Sequence, residues 1–345
     1  MPALMHGALR GARYSCQRRA RRFLAGGLAL LAALLLAGCA GNPPQLADYL
    51  APDDTAPVVL RDVPFHAQEA YQCGPAALAM GLGASGIDVA PATLKPKVWI
   101  PELKGSLQAE MVATARRYKR VPYIIEPDLP ALLAELRGDH PVLVLLNLGW
   151  NIYPIWHYAV VIGYLPQDDA LVLHSGTTRE KVVATPQFMD NWHKAERWGM
   201  VLLHPGTLPA GDNPHVYMQA VAELEQVHPR AAEAAYAAAT RRWPHVTAGW
   251  LGLGNTQYAQ EDEVAAAQAW RTLLARQPDA AVVRNNLAQL LADNGCTEAA
   301  AEQIEIALDS ADEAIRPAVL ETRAGIYALP EGARSCPDWL SGPLP

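Results

Sequence analysis

Residues 68–80 read QEAYQCGPAALAM, and residues 157–164 read HYAVVIGY. Cys73 is one of only five cysteines and stands directly before Gly74-Pro75, where an apolar helical run begins. Proline suits the first turn of a helix because its missing N–H costs nothing there, and glycine lets another backbone come close. A cysteine in that position meets unpaired N–H groups and the positive end of the helix dipole, which favour thiolate over thiol. Burial as a small structural residue is the ordinary alternative for such a side chain. His157 shifts the balance. A thiolate nucleophile needs an imidazole from elsewhere in the fold, and His157 opens an apolar strand behind Trp156. Gln68, just upstream of Cys73, is placed to return its side-chain NH2 toward an oxyanion beside the sulfur.

Outward from this core the chain divides by composition. Residues 1–38 hold six arginines (Arg10, Arg13, Arg18, Arg19, Arg21 and Arg22) and no acid. Leaving them out takes Lys+Arg from 28 to 22 against 35 Asp+Glu, so the remainder carries about −13. An acidic body of this kind argues against nucleic acid or anionic lipid as a main partner. The basic start runs into FLAGGLALLAALLLAGC, residues 23–39, whose apolar length suits a signal-peptide core better than a bilayer span. It ends in Leu36-Ala37-Gly38-Cys39, which resembles the lipobox of bacterial lipoproteins. That resemblance implies a diacylglycerol on the Cys39 sulfur, cleavage before it and, with Ala40 following, anchoring to the outer membrane on its periplasmic side. Such a compartment is oxidising. Cys296 and Cys336 are the candidate disulfide pair there, which leaves Cys73 as the odd thiol.

Residues 39–60 are rich in Pro, Ala and Asp without periodicity and read as a tether. Residues 61–205 mix helix and strand signals. Helices are expected from Cys73 to Gly83, after Ser106 as a cap and after Asp128 as a cap; strands are expected at 141–148, 157–164, 170–174 and 200–203. The turn at 165–169 makes the middle two an expected hairpin. Leading helices followed by consecutive strands indicate an α+β domain. After the break HPGTLPAGDNPH at 204–215, residues 213–328 become alanine-rich and repetitive. A spacing of 34 links Ala232, Ala266 and Ala300; Tyr236, Trp270 and Ile304; and Ala239, Leu273 and Ala307. This pattern resembles the tetratricopeptide repeat, with copies near 213–246, 247–280 and 281–314, a capping helix near 315–328 and a tail at 329–345. An all-α stack of that kind is expected to hold a protein partner on its concave side.

Taken together, VPFHAQEAYQCGPAALAM (63–80), Gly105-Ser106 before a helix, HPVLVLLNL (140–148) and HYAVVIGY resemble the bacteriocin-processing (double-glycine leader) cysteine peptidases of the papain clan. The resemblance covers about 61–203. It implies a papain-like fold, Cys73 as nucleophile, His157 as general base and acid, and Gln68 with the Cys73 N–H as oxyanion hole. It implies no cofactor, and the chain has no Walker A sequence, so ATP is not called for. Where the family places an aspartate to orient the histidine, alignment of the strand ending LVLHSG puts Ser175. His174 is the alternative orienter. Strand alternation sends the two to opposite faces, so only one can serve. The remaining histidines lack metal-ligand spacing, and no zinc site is expected.

The expected protein is therefore an exported lipoprotein peptidase that cleaves peptide bonds through a Cys73 thioester. Two rivals use the same residues: a catalytically inactive fold that only binds peptide, and a cell-wall amidase or acyl transferase. The anchoring expectation is tested by Cys39→Ser, which should leave an uncleaved precursor that no longer incorporates labelled fatty acid.

Overall fold

The two strongest apolar runs, Val142–Asn147 and Trp156–Leu165, lie side by side as antiparallel strands, with Leu146 opposite His157. The computed structural model describes residues 45–52, 54–68, 72–329 and 336–340, so the expected leader and Cys39 lie outside the described residues. In chain order the first elements are β1 (Val58–Val59), α1 (Cys73–Ala84), α2 (Pro91–Val98), β2 (Trp99–Ile100), β3 (Gly105–Ser106) and α3 (Gln108–Arg117). Next come β4 (Val121–Ile124), α4 (Leu129–Arg137), β5 (Val142–Asn147), β6 (Trp156–Leu165), β7 (Ala170–Ser175), β8 (Thr178–Ala184), α5 (Thr185–His193) and β9 (Gly199–Leu203). Seven strands form one antiparallel sheet in the order β4-β9-β5-β6-β7-β8, with β1 added to the far end of β6. Residues 58–203 thus form the α+β region that the element order predicts over 61–205.

The sheet is covered on both faces. Leu143 and Leu145 of β5, Val160 and Ile162 of β6 and Met200 of β9 pack against Leu78, Met80 and Leu82 of α1. Val144, Leu146, Ala159 and Val161 point the other way, toward Leu132 and Leu136 of α4 and Phe188 and Trp192 of α5. All six residues of β5 are buried, as expected of a strand with helices on both sides. A bulge between Val161 and Gly163 reverses the alternation, so Tyr164 joins Val161 on the α4 face. At Gly163 a Cβ would lie 2.8 Å from Val59 Cα and closer still to the Val58 carbonyl, so only glycine lets β1 pair there.

Several expectations need correction. The stretch read as a tether joins the fold from Leu46 onward. Leu46 is fully buried, its N–H donates to Asp169 Oδ1 at 2.6 Å, and Val58 and Val59 pair with β6. Ser106 does not cap α3; it pairs with Trp99 in the β2–β3 ribbon, and Leu107 occupies the cap without a side-chain bond. Asp128 does cap α4, accepting from the Ala131 N–H at 2.8 Å. Strands β4 and β8 escape sequence reading because one contains Pro122 and the other is an exposed, largely polar edge.

The C-terminal region is helical: α6 (Pro214–Glu225), α7 (Pro229–Arg242), α8 (Thr247–Ala259), α9 (Glu263–Leu274), α10 (Ala281–Asp293), α11 (Thr297–Ser310) and α12 (Arg316–Tyr327). Consecutive helices pack on one another, and all nine residues quoted for the 34-residue spacing are buried. A Cβ on Gly254 would run into the buried Trp270 indole, which explains the glycine there. The change of character at 204–215 lies within one compact unit, Leu46–Pro345. Tyr217, Val221 and Leu224 of α6 share a core with Tyr123 and Leu203 of the sheet. The connecting backbone is pinned as well, Ala210 and Gly211 donating to the buried Glu135 carboxylate at 3.1 and 3.0 Å. Among the described residues, no helix is long and apolar enough to cross a membrane.

At the far end, Cys296 and Cys336 form a disulfide. It fastens a short C-terminal segment whose Leu340 is buried and whose Leu340 carbonyl accepts from Arg271 Nη2 at 2.7 Å. The bridge closes a loop across 40 residues, worth about 4 kcal/mol by loop entropy. Reduction, or Cys336→Ser, is expected to lower the midpoint of thermal unfolding followed at 222 nm; an unchanged melt with and without reductant would show that the segment adds nothing to the stack.

Candidate active site

α1 is apolar on every side, and its residues from Gly74 to Leu82 are buried against β5, β6 and β9. That packing fixes where the helix begins. No side chain caps its N-terminus. The first-turn N–H groups of Cys73 and Gly74 are therefore left outside the helical ladder, and Pro75 has none to leave. Gly74 is required by close approach: a Cβ there would lie 2.6 Å from Ser106 Cβ and nearer still to its hydroxyl. Ser106 Oγ is itself buried without a hydrogen-bond partner, while its carbonyl accepts from the Tyr158 hydroxyl at 3.2 Å. The β2–β3 ribbon thus presses directly on the start of α1.

Cys73 is a free, partly buried thiol. It lines an open cavity of about 1000 Å³ together with Gln68, Ser106, His157, Tyr158 and Gly176. Gln68 is held at both ends. Its backbone N–H donates to the Gly176 carbonyl at 3.0 Å, and its side-chain Nε2 donates to the Tyr158 carbonyl at 3.3 Å. One amide hydrogen is used in this way, which leaves the second for an acceptor in the cavity.

His157 is the second residue of β6, and its Nε2 lies 2.9 Å from Ser175 Oγ at the end of β7. Nδ1 is the other ring nitrogen, and the ring lines the same cavity as Cys73. Burial, and secondarily the positive charge of Lys181 on β8, hold the His157 imidazole below its ordinary value of 6.5. Both effects favour the neutral ring, the form that can accept a proton. Tyr158 is pushed upward from its usual range by burial and then by the nearby Cys73 sulfur, so it stays a neutral hydroxyl.

His174 is on the opposite face of β7, as strand alternation demands. Buried against Phe65, it donates from Nε2 to the Val63 carbonyl at 3.2 Å and accepts the Glu180 N–H on Nδ1 at 3.2 Å. Both nitrogens are occupied away from His157. Of the two candidate orienters, only Ser175 touches the His157 ring. Sequence reasoning missed Tyr158 and Ser106 beside the thiol in the cavity and Lys181 as a charge acting on His157, because a one-dimensional pattern does not show which strand end faces which helix end. Among the described residues, no group of three His, Cys, Asp or Glu side chains is arranged to hold a metal ion.

Residues 60–200, less than half of the chain, match the model of the Peptidase_C39 like family. Among solved structures the chain is similar to a C39-like peptidase from Bacillus anthracis, with a TM-score of 0.36 and 17% identity over 43% of this chain and 98% of that one. It is also similar to the peptidase domain of Streptococcus ComA, a bi-functional ABC transporter of a quorum-sensing pathway, with a TM-score of 0.33 and 20% identity over 40% of this chain and 96% of that domain. No curated protein matches the chain.

The tight contact at Gly74 gives a direct test of how the thiol is positioned. Gly74→Ala is expected to cost about 1–3 kcal/mol through overpacking against Ser106 and to slow alkylation of Cys73. Adding Ser106→Gly should restore most of both. A Gly74→Ala protein that melts and reacts like the parent would show that the ribbon does not set the position of Cys73.

Proposed function

We propose that the chain is a cysteine peptidase. Cys73 attacks the scissile carbonyl, His157 Nδ1 takes the thiol proton, and the developing oxyanion is met by the Cys73 N–H and the free hydrogen of Gln68 Nε2. His157 then returns the proton to the leaving amine as the C–N bond breaks, leaving a thioester on Cys73. Water, deprotonated by the same imidazole, attacks that thioester; the acid product leaves and the thiol is restored. Ser175 holds the ring through Nε2. It supplies direction but no negative charge for the imidazolium, so its contribution is smaller than a carboxylate would give.

The observation that carries this reading is the shared cavity. Gln68, Cys73 and His157 line one open cleft, with the histidine tied through its far nitrogen to Ser175. The match of residues 60–200 to a peptidase family agrees with it. The wider setting belongs to the same proposal: a lipoprotein held at the periplasmic side of the outer membrane through Cys39, with tetratricopeptide-like helix pairs that hold a protein partner or the substrate. The lipobox and the 34-residue spacing support these parts.

Cleavage of an unfolded protein such as carboxymethylated casein is the test. Cys73→Ala should abolish it without changing the melt. His157→Ala should lower kcat/KM by about 10²–10⁴. Ser175→Ala is expected to cost about tenfold, chiefly in kcat. Ser175→Asp should raise the His157 titration, followed by NMR in the Cys73→Ala background, since a carboxylate favours imidazolium. His174→Ala should instead lower stability, because it strands the buried Val63 carbonyl and the Glu180 N–H. A chain that cleaves nothing and whose Cys73 alkylates independently of His157 would leave the peptide-binding reading in its place.

A further inference from the structure

Between β5 and β6 the ladder does not stop at the sheet. Leu148 N–H donates to the Ile155 carbonyl at 2.9 Å, and Trp150 and Tyr153 exchange bonds at 3.2 and 3.1 Å. The buried Asn147 carboxamide oxygen accepts from both Gly149 and Ile155 N–H, at 2.9 and 3.0 Å, and so braces the two legs. A Cβ at Gly149 would lie 3.0 Å from the Ile155 nitrogen and closer to the Tyr153 carbonyl. Residues 148–155 are therefore a built hairpin arm, bonded leg to leg. Yet its side chains face water: Trp150 is 73% exposed, Ile152 75% and Tyr153 75%.

The arm continues into the cleft. Ile155 and Trp156, also exposed, line the cavity that holds Cys73 and His157, and Leu103 and Leu107 line it from the β2–β3 side. Exposed apolar patches of this extent mark interaction sites, and large aromatic side chains on a preorganised support are typical anchors of binding energy. We propose that the arm and the Leu103–Leu107 wall together form the docking surface for an apolar segment of the polypeptide, seated beside the bond that Cys73 attacks. The proposal rests on the peptidase reading for its chemistry but not for its binding. Continuity with the cleft is what selects a polypeptide over a lipid surface. The chain enters the unit at Leu46, bonded to Asp169 at the β6–β7 turn. That turn and the arm lie at opposite ends of the ten-residue β6, about 33 Å apart.

The test uses the full chain carrying Cys73→Ala, so that binding is read without turnover. A random dodecapeptide pool is selected on this protein and on the same protein with Ile152→Ser and Tyr153→Ser added, after circular dichroism confirms equal folding. Enrichment of peptides carrying Leu, Ile, Phe or Trp is expected on the first, with a fall of about tenfold or more in affinity on the second. Equal selection by both, or no apolar enrichment, overturns the proposal. Co-sedimentation with vesicles of phosphatidylethanolamine and phosphatidylglycerol is run alongside. Arm-dependent sedimentation without apolar peptide selection also overturns it, in favour of a membrane contact. If apolar peptides are selected through the arm and the Cys73 protein fails to cleave them, docking stands and the peptidase reading falls.

Discussion

The register of β6 is the constraint on which the rest of the structure depends. This strand is paired on both edges, by β5 and β1 on one side and β7 on the other, and packed by helices on both faces. A slip of one residue would turn His157 away from Ser175 and push Ala159 and Val161 out of one core into the other. Burial on both sides makes that slip costly. A fully buried Val or Leu is worth about 1.5–3 kcal/mol relative to water, and β5 and β6 contribute many such side chains at once. The histidine is thus aimed by apolar packing several residues away from it.

The cysteine is aimed by a different device. α1 has no polar face, so it lies within the core, and its small residues decide how closely its neighbours approach. Gly81 meets the Leu202 side chain, Gly83 meets Pro64, and Gly74 meets Ser106. The last of these contacts brings the β2–β3 ribbon against the start of α1, where the thiol stands. Helix start and strand start therefore converge on one cleft, because one sheet face packs the helix and one sheet edge ends beside it. Gln68 closes the arrangement through its bonds to Gly176 and Tyr158.

The same sheet supports the helical region. α6 lies against β4, and Tyr217, Val221 and Leu224 complete a core that begins with Tyr123 and Leu203. The glycine- and proline-rich segment before α6 is a connection tied down by Glu135 and Arg242 rather than a free linker. The first helix of that region is thereby kept at a fixed place on the sheet that carries the cleft. The hairpin arm stands in contrast. Its two legs are bonded to each other and braced by Asn147, while Trp150, Ile152 and Tyr153 are exposed. That combination of rigid support and unsatisfied apolar area is what a binding surface requires.

The sequence by itself determined the α+β-then-helical order, the four strands β5, β6, β7 and β9, the 34-residue ladder of Ala232, Tyr236 and their counterparts, the candidate pair Cys296 and Cys336, and Gln68, Cys73 and His157 as one candidate set. These are legible because periodicity, turn chemistry and residue type act locally along the chain. The choice between His174 and Ser175 was half legible: alternation separates them, but only the pairing of β6 with β7 decides which one faces His157. The entry of Leu46 and Val58–Val59 into the core, the contact of Gly74 with Ser106 and the influence of Lys181 on the imidazole were decided by tertiary structure alone. So was the projection of Trp150, Ile152 and Tyr153 into solvent. Each of these depends on distances between segments far apart in the chain, and such distances are set by packing, which no local pattern encodes.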